Sequence, residues 1–310
     1  MKVFRKFSKI LLGAFLAIVF AVSGSVATFA EDIPEYRIQM SPARNDIGDL
    51  KPGETYTGVF KVQNTGSKTF DFAAGVTPYY VVDENYSPDY ESTGKYSDIV
   101  EWVKLSTDKG TVEPNGEVEV AYTITVPADV PEGGQYAMLY AEINPKDDAA
   151  SGSGVAVSRR VGMLLYSNVQ GRTRKTGAVL ENKVPSFRFN PPVAATSVVE
   201  NTGNTHTDAT YVLQVYPLFG NEEVYTNEEN PTKLTILPET RRFNTVTWPN
   251  APHLGIFRVK QTVTIFDQTS TVEKVVFLCP IWFLFIIIAL IFCAIFWIVT
   301  RIRARKQDRR

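Results

Sequence analysis

The 310-residue sequence has almost no histidine, and no cysteine where its bulk lies. Two histidines occur, His206 and His253, so a three-histidine metal site within one chain is excluded. Both cysteines, Cys279 and Cys293, fall in one apolar run near the C-terminus, so residues 31–274 can hold no disulfide. A surplus of base is missing too: 32 Lys+Arg stand against 33 Asp+Glu, a formal net charge of −1. The charges are sorted along the chain. Residues 1–30 carry four bases and no acid, and residues 275–310 carry six bases and one acid; the remaining 22 bases and 32 acids give residues 31–274 a net charge of −10. An acidic middle of that kind argues against nucleic acid as a partner, because neutralising phosphates needs a basic face. No long amphipathic helical pattern is found, which argues against bundles and α/β folds.

What is present at the ends sets the compartment. Residues 1–30 have the form of a secretory signal: bases at Lys2, Arg5, Lys6 and Lys9, an apolar run from Ile10 to Val22, then Thr28-Phe29-Ala30 with small residues where a signal peptidase cuts. Cleavage is expected after Ala30. The apolar run is short of the ~20 residues that cross a bilayer. Residues 275–300 predict a membrane span. They carry no charge, place Trp282 and Trp297 near the two ends, and are followed at once by Arg301, Arg303, Arg305 and Lys306. Basic residues beside a span stay in the cytoplasm. The expected product is a single-pass cell-membrane protein, N-terminus outside, with residues 301–310 as a cytoplasmic tail.

Between the ends, apolar and polar residues alternate. Val118-Glu119-Val120-Ala121-Tyr122-Thr123-Ile124-Thr125-Val126 and the run from Phe257 to Ile265 have the period of a half-buried strand. The fold class expected is all-β: two tandem immunoglobulin-like β-sandwiches plus one C-terminal transmembrane helix. The duplication rests on an ordered repeat. Phe60-Lys61-Val62-Gln63-Asn64-Thr65-Gly66 matches Ser197-Val198-Val199-Glu200-Asn201-Thr202-Gly203, and a Pro-led turn, an alternating strand and a Gly-aromatic start follow in both halves. The boundaries predicted are 31–171 and 172–274, with the polar segment from Gly171 to Gly177 between them. Asn-Thr-Gly suits a hairpin turn, since Asn and Gly tolerate positive φ.

The order of these segments resembles the WxL-interacting proteins of Gram-positive bacterial surfaces. The residues that carry the likeness are Lys51-Pro52-Gly53-Glu54, Val62-Gln63-Asn64, Ser97-Asp98-Ile99-Val100-Glu101-Trp102, and the strand between Pro114 and Pro127, followed by a second β-domain, a span and a basic tail. The resemblance implies a peptidoglycan-binding first domain and a second domain facing a host or matrix protein.

Candidate chemistry is sparse. His206 and His253 both lie in turns, and neither has a serine in an elbow-type motif nearby, so the expectation is a protein that is not an enzyme and uses no cofactor and no metal. Leu237-Pro238-Glu239-Thr240 looks like a sortase signal, but Arg241 follows where glycine is needed, and the segment repeats the Pro114 turn. Residues 83–98 form an acidic, tyrosine-rich insertion without a counterpart in the second half. It lacks the spacing and central glycine of an EF-hand loop, so a solvated loop is favoured over a calcium site. Tyrosine gives rigid contact area with a polar tip, and Tyr86, Tyr90 and Tyr96 are the candidate binding residues. Trp102 and Trp248 are expected to anchor the two cores. The function expected is a membrane-anchored surface binding protein holding a cell-wall polymer such as peptidoglycan, a secreted or host protein, or both. The alternative is an accessory subunit of a membrane complex.

Overall fold

The alternation becomes strands throughout. The computed structural model describes residues 35–143 and 159–307. The signal segment expected at residues 1–30 and its cleavage position lie outside the described residues.

The first unit contains β1 (Ile38–Ser41), β2 (Arg44–Leu50), β3 (Thr55–Asn64), β4 (Phe70–Pro78), the short hairpin β5 (Tyr80–Val81) and β6 (Pro88–Asp89), a single helical turn α1 (Ile99–Trp102), β7 (Val103–Leu105), β8 (Lys109–Val112), β9 (Glu117–Thr125), β10 (Gly133–Ile143) and β11 (Arg159–Val169). They form two facing sheets, β1-β3-β9-β7 and β2-β11-β10-β4-β8. The second unit contains β12 (Gly177–Lys183), β13 (Phe187–Arg188), β14 (Val193–Asn201), β15 (Thr207–Pro217), β16 (Tyr225–Thr226), β17 (Thr232–Ile236), β18 (Thr240–Trp248), β19 (Gly255–Ile265) and β20 (Gln268–Leu278). Its sheets are β12-β14-β18 and β13-β20-β19-β15-β16, with β17 also on β15.

The two units share one wiring. β3 pairs with β9 as β14 pairs with β18, and β4 with β10 as β15 with β19. In each unit an early short strand joins the last strand in parallel, β2 on β11 and β13 on β20. Inward-facing residues fill two separate cores. Phe60, Ile99, Trp102, Tyr122, Ile124, Leu139 and Met163 lie in the first, and Tyr211, Leu213, Val246, Trp248, Val259, Val276 and Leu278 in the second. Both tryptophans are therefore buried among apolar side chains, as a core role requires.

The repeated Asn-Thr-Gly has a use beyond turn propensity. Asn64 is buried at the end of β3; its Nδ2 donates to the carbonyls of Lys68 (2.8 Å) and Val112 (3.0 Å), and its Oδ1 accepts the Gly66 N–H at 2.9 Å. Asn201 does the same at the end of β14, to Thr205 (2.8 Å), Ile236 (3.0 Å) and Gly203 (2.9 Å). One side chain thus satisfies three backbone groups that burial would otherwise orphan.

The apolar C-terminal run divides differently from the sequence expectation. Val275, Val276, Phe277 and Leu278 belong to β20 and pair with β19, and Val276 and Leu278 lie in the second core. The second unit therefore extends to Leu278, not residue 274. The helix α2 (Ile281–Gln307) contains a 19-residue stretch, Ile281–Val299, long and apolar enough to cross a membrane. Pro280 stands just before the helix, its carbonyl accepting the Phe283 and Leu284 N–H groups. A hydrophobic run has no period of its own, so composition alone could not separate buried strand from span. Leu278→Ala is accordingly expected to destabilise the second sandwich by about 2–5 kcal/mol, the cost of a large-to-small core change. Denaturant unfolding of the full chain in detergent reads it. A span starting at Val275 would instead leave the midpoint unmoved.

Candidate functional site

Of the tyrosines singled out in residues 83–98, Tyr86 and Tyr96 reach the second sandwich, and Tyr90 packs on Tyr79 of the first. Tyr96 is buried, Tyr86 and Tyr90 are partly buried, and all three join a third cluster with Tyr79, Val81, Tyr136, Tyr166 and Leu237. The hydroxyls of Tyr86 and Tyr96 are thereby engaged by partners within the chain. The physical reason is that the insertion's rings find apolar partners in the first unit and at Leu237 of the second, so leaving them in water would forgo burial worth ~1.5–3 kcal/mol for a large side chain.

The insertion grips the turn between β17 and β18. The Leu237 N–H donates to the Tyr86 hydroxyl at 2.7 Å. That hydroxyl lies 2.8 Å from Thr240 Oγ1, which donates to the Leu237 carbonyl at 2.8 Å. Arg242 covers the Tyr86 ring, 4.1 Å from its centroid. Burial pushes the Tyr86 phenol above its ordinary range, so it remains a neutral hydroxyl. The Glu239 carboxylate accepts Lys95 Nζ (2.8 Å) and the Tyr96 hydroxyl (2.9 Å), and the Lys95 bond holds the carboxyl below the usual range. Tyr90 stacks on Tyr79 with centroids 6.1 Å apart. The Leu237-Pro238-Glu239-Thr240 segment is thus a folded, clasped turn, with Leu237 buried.

A second set of contacts crosses the same junction. His206 Nε2 lies 3.0 Å from Asp46 Oδ2, and Nδ1 lies 3.2 Å from the Tyr136 hydroxyl, which also accepts the His206 N–H at 3.0 Å. The network is satisfied when Tyr136 donates to Nδ1 and Nε2–H donates to Asp46. Arg44 lies 4.1 Å from the Tyr166 centroid and donates to Thr235 Oγ1 at 2.6 Å. The sequence placed His206 in an isolated turn. Its acidic partner is 160 residues away and no local signal points to it.

An acid, an imidazole and a hydroxyl in line invite comparison with a catalytic relay. Here the terminal hydroxyl is a buried phenol that burial pushes far above its ordinary range, and it already accepts a backbone N–H. A nucleophile must reach a substrate, and this one is enclosed. The relay is an interdomain tie. Burial pushes the Asp46 carboxyl up, but the hydrogen bond from His206, the Gly48 N–H and the nearby Arg44 outweigh it and leave it below the ordinary range. A depressed acid contributes stability above its free pKa and loses it as pH falls through the folded-state value. Below about pH 4, where a free aspartate titrates, the wild type should therefore lose stability that Asp46→Asn does not. Unfolding midpoints of both proteins at neutral pH and at pH 3 measure it, and parallel losses would refute the tie.

Among the described residues, no group of three or more His, Cys, Asp or Glu is placed to hold a metal. In the acidic insertion, Asp83 accepts the Ser87 N–H and hydroxyl, and Asp89 accepts the Glu91 and Ser92 N–H groups, so both carboxylates shape their own turns.

Among the described residues, two solvent-open features bear on binding. A cleft of about 140 Å³ on the outer side of the insertion is lined by Tyr79, Tyr80 and Tyr96 with Ser92, Thr93 and Ser97. And β18 is the last strand of its sheet. In the first unit the corresponding edge of β9 is covered by β7. On β18 the Phe243 N–H is taken by the Glu84 carbonyl at 2.7 Å and the Thr247 carbonyl by the Tyr225 hydroxyl at 3.1 Å, with Thr245 exposed between them. Strand period places the Thr245 N–H on the same outer side as that of Phe243.

No protein-family model and no curated protein matches the sequence. Among solved structures, the chain is similar to a chaperone–tip adhesin complex of CFA/I fimbriae biogenesis, at 10% identity and a TM-score of 0.38, over 77% of this chain and 98% of that one. It is similar to the CsuC–CsuE chaperone–tip subunit complex of Acinetobacter baumannii at 10% identity and TM-score 0.37, over 77% and 98%. A PapD-like domain of human CEP192 matches at 17% identity and TM-score 0.32, over 48% and 97%. At such scores these likenesses carry nothing about ligand or activity.

Proposed function

We propose that this protein is a membrane-anchored, non-enzymatic binding arm, with its two sandwiches displayed outside the cell and the tail after Arg301 in the cytoplasm. The observation that carries the reading is the continuity of β20 with α2 beneath two sandwiches clasped into one body. The strand ends at Leu278 and the apolar stretch begins at Ile281. The basic residues after that stretch favour a cytoplasmic tail.

The open edge of β18 favours a protein partner. An exposed sheet edge offers backbone donors and acceptors that an extended segment of another chain can complete, with side-chain pockets setting specificity. The first unit covers the equivalent edge with the strand β7; the second has no such strand, only the Glu84 and Tyr225 bonds on either side of Thr245. A second reading is a wall polymer such as peptidoglycan, as the resemblance to WxL-interacting proteins implies. The cleft of tyrosine faces and Ser/Thr hydroxyls at residues 79–97 favours it.

One experiment separates the two. Cells displaying wild type or Thr245→Pro are treated with a membrane-impermeant cross-linker, and detergent-solubilised full-length protein is also sedimented with purified wall. Proline on the outer side of an edge strand removes an N–H without breaking a bond to β14. The variant should stay folded and lose its cross-linked protein partner. Unchanged cross-linking would refute the edge. Wall sedimentation shared by both proteins would support the polymer reading. External protease that spares residues 35–278 would refute the topology.

A further inference from the structure

We propose that the α2-proximal end of the second sandwich is a lipid-docking surface that seats the protein on the outer leaflet of the bilayer; this rests on the reading of α2 as a membrane span. Cross-strand partners share a sheet face. Phe187 on β13 pairs with Phe277 on β20, which pairs with Ile256 on β19, and these three are 42%, 47% and 39% exposed. Phe189 packs edge-on against Phe187 at 4.9 Å. The Ile256 carbonyl accepts the Leu218 N–H, and the next residue of that loop is Phe219, which is 90% exposed. Single exposed apolar residues are ordinary, but a contiguous patch marks an interaction surface.

Polarity along the same face rises with distance from α2. The next row is Val275, Arg258 and Tyr216, with the Arg258 guanidinium 5.5 Å from the Tyr216 ring centroid. The row after that is Glu273, Lys260 and Gln214. Apolar, then tyrosine and arginine, then charge is the order a protein surface meets on leaving a bilayer, since amphipathic rings and cations favour the headgroup layer.

The chain leaves no slack to lift this surface away. The Cys279 N–H donates to the Arg188 carbonyl at 3.1 Å, so Cys279 is still tied to the sandwich. Pro280 already serves the first helical turn. The 19 residues of Ile281–Val299 give a rise of ~28 Å at 1.5 Å each, matching the ~30 Å hydrocarbon core. Ile281 then sits at the hydrocarbon edge, and Phe277, four residues earlier, is at most ~14 Å from it along the chain. Lipid is thus the occupant that connectivity brings to this face.

The test uses the full chain with Cys279→Ser and Cys293→Ser, a single new cysteine carrying a fluorophore, and liposomes containing spin-labelled lipid. The sites are Phe189→Cys and Phe219→Cys on the proposed surface, Leu290→Cys in the span, and Lys109→Cys on the first sandwich. Side chains seated ~5–10 Å into the interface should lose roughly half their emission to headgroup-labelled lipid. The Leu290 probe should respond to mid-chain label, and the Lys109 probe to neither. Unquenched probes at 189 and 219 with a quenched probe at 290 would overturn the docking surface and leave the span intact. An unquenched probe at 290 would overturn both. Energy transfer between copies labelled at 219, without lipid quenching, would assign the face to self-association and overturn the proposal.

Discussion

Asn201→Ala is expected to unfold the second sandwich, or nearly so. The substitution orphans the Thr205 and Ile236 carbonyls and the Gly203 N–H together, in a place closed to water. Each buried group left without a partner costs about 1–3 kcal/mol, so the expected loss for three is ~3–9 kcal/mol, a large share of a domain's stability. Asn201→Asp keeps the acceptor for Gly203 but sets a carboxylate against two carbonyl oxygens, and should be no milder. The duplication supplies its own control: Asn64→Ala should do the same to the first sandwich. Amide hydrogen exchange on the full chain separates residues 38–169 from 177–278. A loss under about 1 kcal/mol in either unit would show that the asparagine is a turn former and not a three-way tie.

Replacing residues 83–98 by a short Gly-Ser turn is expected to weaken the whole two-sandwich body. From composition the segment is a removable loop tip whose loss leaves the fold intact. In the structure the Tyr96 carbonyl accepts the Tyr136 N–H at 2.7 Å, and the Gln135 side chain donates to Lys95 O at 3.4 Å. Tyr86 satisfies the Leu237 N–H, and Glu84 satisfies that of Phe243. Losing the burial of two tyrosines, ~1.5–3 kcal/mol each, together with at least one orphaned amide, gives an expected loss of about 5 kcal/mol. Thermal or denaturant midpoints report it, and small-angle scattering should broaden as the sandwiches come loose. Tyr86→Phe separates hydroxyl from ring: it keeps the packing, orphans the Leu237 amide, and should cost about 1–3 kcal/mol. A deletion variant with an unchanged midpoint would return the segment to the status of a solvated loop.

The strands, the duplication and the C-terminal apolar helix were legible because each is a local pattern. Val118–Val126 alternates, and Asn64-Thr65-Gly66 recurs as Asn201-Thr202-Gly203. What stayed hidden depends on partners distant in sequence. Asn64 ties itself to Val112, Tyr86 to Leu237 and His206 to Asp46, and nothing near any of these residues names the other. The acidic composition of residues 83–98 pointed to solvent, and its aromatic residues were explained only by the sandwich they cover. β2, Arg44–Leu50, carries little strand signal in its polar sequence, yet pairing with β11 makes it one. The apolar helix begins at Ile281, six residues after the apolar run does, because β20 ends in a stretch as hydrophobic as the helix it precedes.

The path from β20 into α2 also has a mechanical meaning. β20 is bonded along one side to β19 over eleven register pairs and touched on the other by β13 at Phe187 and Arg188. Ladder bonds run across the strand axis. A load drawn between a held ligand and the membrane would arrive at Leu278 along that axis, so the bonds would be strained in shear, together, and not peeled singly from one end. On the reading of α2 as a membrane span, the second sandwich is thus built to bear tension, and force spectroscopy pulling on α2 should meet its highest rupture force at β20.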